Sequence, residues 1–292
     1  MAASELRGVI AAAATPVTAT LEPDLTRFLT LCRWLLDRGC DALNICGTTG
    51  EATSLTVTQR MAIMSAAASG LPRSRLMAGT GAAALGDAIV LTRHAAELGL
   101  AGALILPPFY YKGVSDDGVA DYVGRIVTAT AAKPIEIYLY NFPQLSGVAY
   151  SSALVARLVE QFGGRIAGLK DSSGDLAYAS EVAAISPGLR VFPSNEAVLL
   201  RARAGEFFGC ISASVNVNSE FSARAFREGD AAALERASAI RALLSEKPLI
   251  PSVKAVLAYR LGDPAFETVL PPLTRLTEAD RTELLEKLAP LL

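Results

Sequence analysis

The stretch RIAGLKDSSG (165–174) holds a short apolar run that stops at one lysine, Lys170, and passes into a polar turn. A run of this kind makes a buried strand, and the turn after it leads into a helical pattern. The same unit recurs from end to end. Apolar runs of strand length lie at 8–17, 40–47, 75–80, 101–108, 135–141, 165–171, 189–195 and 209–216. Between them lie segments such as TRFLTLCRWLLDRG and LTVTQRMAIMSAAASG, apolar at helical spacing. Thr56 with Gln59 fits a capping box, and Gly39, Gly70, Gly99 and Gly205 sit where helices should stop.

Eight strands with helical crossovers make a parallel sheet, and eight is the number that closes into a barrel. The repeat is about 29 residues, usual for that architecture. The expected fold is therefore α/β, a (β/α)8 TIM barrel over 1–225. Helical patterns over 226–292 exceed what finishes a barrel, so they read as a C-terminal extension packed on it in a single unit. A doubly wound sheet is the alternative, because GTGAAA (79–84) fits a dinucleotide fingerprint. The acidic partner that fingerprint needs is missing, since the next strand ends in prolines.

Composition narrows the function. The chain of 292 residues is 51% hydrophobic, ample for a large core, and its net charge of -2 supplies no basic field for nucleic acid or anionic lipid. The start lacks the pattern of a signal peptide, and charge, Pro or Gly interrupts every apolar run short of a membrane span. Cys32, Cys40, Cys46 and Cys210 show no metal-ligand spacing, and one histidine cannot build a His-rich site, so no metal is expected. A cytoplasmic protein with reduced, packed cysteines is the expectation.

Barrel enzymes carry their chemistry at the C-terminal ends of strands. There the sequence places Thr48 and Thr49 with Glu51, Tyr110 with Tyr111, Tyr140, Lys170, and Ser194 with Asn195. Strand alternation orients them. Ala167 and Leu169 suit the helix-facing side, which turns Gly168 and Lys170 inward; Ile135, Ile137 and Leu139 do the same for Tyr138 and Tyr140. With Leu43 and Ile45 outward, Thr48 faces the lumen beside Cys46. Taken alone, Lys170 reads as a charge where a strand runs out. Tyr140 in register on the preceding strand, with GTTGE upstream, turns it into a reagent. Desolvation disfavours the lysine's charge, and a neutral amine attacks a ketone to form an iminium that serves as an electron sink. Tyrosine and threonine hydroxyls can relay protons, and the N–H groups of the GTTG turn suit a carboxylate. The acceptor implied is a 2-oxo acid.

GTTGE, PPFYY, YNFP and GLKDSSGD in this order resemble the pyruvate-dependent class I aldolases typified by dihydrodipicolinate synthase and N-acetylneuraminate lyase, over nearly the whole chain. The resemblance implies that Lys170 forms the imine with pyruvate, Tyr140 is the main acid–base residue, and Thr48 with one tyrosine of the Tyr110–Tyr111 pair, Tyr111 before Tyr110, completes a proton relay. It further implies that Gly47, Thr48 and Thr49 hold the pyruvate carboxylate and that Ile211 lies against pyruvate. No cofactor is implied beyond the covalent lysine–pyruvate imine. The partners implied are small 2-oxo acid and aldehyde substrates and a homotetramer, a dimer of dimers that lends one relay tyrosine across an interface.

The pattern also departs from the family. Leu145 stands where synthases that condense pyruvate with aspartate semialdehyde carry a carboxylate-gripping arginine, and Asn195 and Ala213 replace the polar residues of neuraminate lyases. Ser172, Ser173, Ser194, Asn195, Glu196 and Ser214 offer hydroxyl-matching contacts without a strong anion site. The expected reaction is aldol cleavage, condensation or dehydration of a 2-keto-3-deoxy sugar acid. Dihydrodipicolinate synthesis is the alternative within the class, and a non-catalytic sugar-acid-binding barrel the alternative outside it. Glu51 is expected to be a turn and cap carboxylate, Asp171 structural, Glu136 a barrel-floor partner, and Arg201 and Arg203 solvated or salt-bridged.

Overall fold

The computed structural model describes residues 6–292. Eight parallel strands, β1 (Gly8–Ala12), β2 (Ala42–Ile45), β3 (Leu76–Gly79), β4 (Gly102–Ile105), β5 (Ile137–Asn141), β6 (Ile166–Asp171), β7 (Arg190–Pro193) and β8 (Gly209–Ser212), pair in chain order, and β8 returns to β1. At the remaining seam, Phe208 donates its N–H to Val191 O at 3.0 Å. This is a (β/α)8 barrel, not an open doubly wound sheet. Its helices are α1 (Leu25–Asp37), α2 (Val57–Gly70), α3 (Leu85–Leu98), α4 (Asp116–Ala129), the short α5 (Pro143–Ser146), α6 (Ser152–Phe162), α7 (Leu176–Ala183), α8 (Leu199–Arg203) and α9 (Val215–Glu228). Three more follow: α10 (Ala231–Ser245), α11 (Leu249–Leu261) and α12 (Glu278–Leu288). None of these helices is long and apolar enough to cross a membrane.

Local signals explain the helix ends. Thr56 and Gln59 form the reciprocal capping box that starts α2, and Gly99 ends α3 in the left-handed region. The first and last strands are shorter than their apolar runs suggest. Pro16, which has no N–H, follows β1. After β8, Ser214 already has helical angles and α9 begins at Val215.

Two apolar layers result. Leu43, Ile45, Ile137, Leu139, Leu169 and Val191 pack outward against the helices. Ile10, Met77, Leu104, Tyr138, Tyr140, Phe192 and Ile211 fill the barrel. Tyr138 fits there because Gly102 and Gly168 leave room: a Cβ on either would lie 2.7 Å from its ring. Its hydroxyl donates to Glu136 at 3.0 Å, and Arg190 pairs with Glu136 at 2.7 Å, which makes the expected barrel floor. Alternation misplaces two residues. Ala167 joins the interior cluster because the β5–β6 register shifts by one residue at Ile137/Tyr138. Cys46 turns outward, its thiol toward Arg60 O at 3.8 Å, because its φ of +53° breaks the strand geometry.

Candidate active site

Lys170 is the penultimate residue of β6, and the register sets it directly beside Tyr140 of β5. Its side chain points into the mouth of the barrel, where Nζ lies 4.2 Å from the centroid of the Tyr140 ring. Lys170 is 2% exposed, and among the described residues it forms no ion pair. An ammonium in that position has an aromatic face for company and no carboxylate. Tyr140 hydroxyl lies 3.2 Å from Thr48 Oγ1, in a hydrogen bond that either hydroxyl can donate.

Thr48 and Thr49 belong to a tight turn after β2. Glu51 N donates to Thr48 O at 3.0 Å, and Ala52 N to Gly47 O at 3.2 Å. Cys46 and Glu51, at φ +53° and +55°, bracket this turn in the left-handed region that disfavours residues with a Cβ. Such strain concentrates where a fold holds functional groups in place.

These side chains open onto one cavity of about 360 Å³, whose polar wall is Thr48, Thr49, Tyr140, Lys170, Ser172, Ser194 and Arg241. Phe142, Leu145 and Leu273 are on its apolar side, with Leu249, Ile250 and Pro251 from the start of α11. A nucleophilic amine, a paired phenol and hydroxyl, and a greasy wall that sheds water are the parts of a carbonyl-condensing site.

The structure thus gathers Lys170, Tyr140, Thr48, Thr49, Leu145 and Ser172 around this cavity, and it places the other expected residues around or away from it. Tyr110 and Tyr111 are 76% and 73% exposed, stacked edge-to-face on the surface at 5.3 Å, and neither lines the cavity of its own chain. Asn195 does not line the cavity, because its side chain accepts from Ala197 N at 3.0 Å and caps a short turn. Ile211 is fully buried one layer below, and Ala213, two residues on and on the same face, reaches the wall instead. Gly47 borders a separate space of about 20 Å³ between Thr48, Tyr140 and Arg60, about the size of one water. Asp171 is structural as expected: Asn141 Nδ2 and Ser173 Oγ each donate to it at 2.8 Å, while burial raises its carboxyl pKa. Arg201 pairs at the surface with Glu206.

Arg241, from α10, was not foreseen, and it brings to the cavity wall a guanidinium absent from the expected set of hydroxyl-matching contacts. Its Nη1 donates to Glu196 Oε2 at 3.1 Å, Ser212 Oγ at 2.9 Å and Ser214 Oγ at 3.2 Å. Glu196 is fully buried, with Ser214 Oγ 2.6 Å from its other oxygen, so Glu196 and Ser214 anchor Arg241 and do not face substrate. Among the described residues, Arg241 Nε and Nη2 have no hydrogen-bond partner. Nothing in the amphipathic pattern of 230–247 singles this arginine out.

Glu51 is also not the cap expected of it. It is buried in an ion pair with Lys254 of α11. Lys254, a charge inside the apolar run PSVKAVLA, carries the same sequence signal as Lys170 and could have been found by it.

Comparison with known proteins places the chain in a family. The profile of the Dihydrodipicolinate synthetase family matches residues 5–290. The chain belongs to this family. Its enzyme class is accordingly that of the lysine Schiff-base (class I) lyases. An uncharacterized DapA-like lyase of Chloroflexus aurantiacus is 33% identical over 274 residues, covering 92% of this chain and 91% of that protein. Dihydrodipicolinate synthase from Agrobacterium tumefaciens superposes with a TM-score of 0.91 at 28% identity, over 98% of this chain and 99% of that one. YagE from E. coli K12, a prophage protein of the same family solved in complex with pyruvate, gives 0.89 at 26% identity, over 98% and 99%.

Proposed function

We propose that this lyase acts on a pyruvate-derived 2-oxo acid of the 2-keto-3-deoxy sugar acid type, by aldol cleavage or condensation or by dehydration. The observation that carries the reading is the side-by-side placement of Lys170 and Tyr140, with Tyr140 hydrogen-bonded to Thr48. In the cleavage direction, Lys170 Nζ adds to the C2 carbonyl and water leaves, giving an iminium. Tyr140 oxygen takes the proton of the C4 hydroxyl, the C3–C4 bond breaks, and its electrons flow into the iminium to form an enamine. The aldehyde departs, C3 is protonated, and hydrolysis returns pyruvate and the free amine. The chemistry uses a covalent imine and calls for no separate cofactor.

The second half of the substrate decides between readings. Leu145 at the cavity edge cannot make the bidentate contact that a guanidinium gives a carboxylate, which supports a neutral polyhydroxy half read by Ser172 and Ser194. Arg241 favours a second reading, condensation of pyruvate with aspartate semialdehyde, because its unpaired donors could receive that carboxylate from the opposite wall. Incubation with pyruvate and borohydride should label one lysine, Lys170; an unchanged mass would sink the Schiff-base reading and favour a binding barrel without catalysis. A screen of 2-keto-3-deoxy acids and of aspartate semialdehyde, following pyruvate release or consumption, then separates the two substrates. An Arg241→Met variant that loses turnover only with the semialdehyde would establish the second.

We infer that the protein is cytoplasmic, in keeping with its four buried free cysteines, and assembles as a homotetramer in which a partner supplies the relay tyrosine. The exposure of Tyr110 and Tyr111 in one chain supports this. Light scattering that finds a monomer would refute it.

A further inference from the structure

The cavity residues rest on a contact that none of them makes. Lys254 Nζ donates to Glu51 Oε1, and each side chain is 1% exposed. The other carboxylate oxygen of Glu51 accepts from Leu270 N at 2.6 Å, and Lys254 also donates to Thr268 O at 2.7 Å. Both carboxylate oxygens of Glu51 and two of the three ammonium donors of Lys254 are therefore engaged inside the protein. Burial draws the Lys254 ammonium below its ordinary pKa against the pull of Glu51, so the charged pair is held at a cost.

Stability alone does not explain such a pair, because apolar residues of matched shape often replace a buried ion pair without loss. Its position is more informative. Glu51 holds a left-handed backbone where glycine would be relaxed, and it is the closing residue of the turn that presents Thr48 and Thr49. Lys254 lies on α11, whose first residues Leu249, Ile250 and Pro251 form the facing wall of the cavity. Leu270, held by Glu51, in turn accepts from the N–H of Leu273, another wall residue, at 3.0 Å. One carboxylate thus ties together the turn, the helix and the loop that enclose the substrate.

We propose that Glu51 and Lys254 are positioning residues through which the C-terminal extension fixes the 47–51 turn, and with it the carboxylate subsite of the 2-oxo acid, at a set distance from Lys170. The inference rests on the Schiff-base reading above for its ligand, but not for its geometry. A misplacement of the turn weakens the grip on pyruvate before it touches the amine that reacts, so the two effects separate.

The test is the double variant Glu51→Gln/Lys254→Met, which leaves neither charge buried alone. The borohydride-trapped adduct on Lys170 is measured against pyruvate concentration. Half-saturation should rise about tenfold or more, while trapping at saturating pyruvate stays within about threefold of wild type. A merely structural pair would lower the melting temperature without moving half-saturation, and a value within about twofold of wild type would overturn the proposal. Should the double variant fail to fold, Glu51→Asp, one methylene too short to reach both Lys254 and Leu270, takes its place. The same rise in half-saturation would support the proposal there, and an unmoved value would overturn it. If wild type takes no label, the Schiff-base reading has failed on its own, and amide exchange decides this one. The Glu51 and Ala52 amides should exchange faster in the variant; unchanged protection would refute the proposal.

Discussion

Replacing Tyr140 with Phe removes one oxygen atom from the cavity and little else. The ring stays, and so does its face toward Lys170 Nζ, 4.2 Å from its centroid. The loss is the 3.2 Å hydrogen bond to Thr48 Oγ1. Thr48 is only partly buried and borders the open cavity, so water can satisfy its hydroxyl. A net hydrogen bond of this kind contributes about 0.5–1.5 kcal/mol, which predicts a Tm lower by no more than about 6 °C. The effect on rate should be far larger, because a positioned acid–base group supplies about 10²–10⁴-fold, or about 2.7–5.5 kcal/mol of barrier. The assay need not know the second substrate. Enamine formation exchanges the methyl protons of pyruvate with deuterated solvent, which proton NMR follows directly. Exchange should slow by at least about 100-fold in Tyr140→Phe at nearly unchanged Tm. A rate within about tenfold of wild type would refute the assignment of the proton to this phenol.

Lys170→Ala should take no borohydride label and exchange no pyruvate protons, whereas a labelled variant would move the nucleophile elsewhere. Leu145→Arg changes a residue that is 62% exposed at the cavity rim, so its stability should stay within about 0.5 kcal/mol of wild type. It should raise condensation with aspartate semialdehyde by about tenfold or more through a bidentate contact, and no gain would exclude this rim as the place where that carboxylate binds. Acid should loosen the C-terminal extension. Arg27 holds Asp263, and Lys247 holds Asp280, below the ordinary carboxyl pKa. Their contributions are full above the unfolded value of 3.8 and fade as pH falls through the lowered one. The urea midpoint should therefore drop below pH 4, and a midpoint flat from pH 6 to 3 would count against these anchors.

The sequence was legible wherever a local pattern carries the information. Apolar runs of strand length and a period of 3.6 marked eight strands and their crossovers, and the alternation along β5 and β6 sent Tyr140 and Lys170 to one side. Parity failed at Cys46 and Ala167, because a left-handed residue and a register shift are decided by neighbouring strands. Asn195 misled for another reason. Its amide has two uses, cap and ligand, and only the path of the chain after β7 chooses between them.

By itself, then, the sequence determined the barrel, its order of strands and the pair at the heart of the cavity, since each follows from residues a few positions apart or in adjacent strands. The tertiary structure decided what encloses that pair. Arg241 and Lys254 lie 71 and 84 residues beyond Lys170, on helices whose own patterns only say that they pack. What brings one to Glu196 and the other to Glu51 is the docking of the extension across the barrel mouth. Contacts of that range leave no periodic trace, so the walls of the substrate site are written in the fold rather than in the spacing of residues.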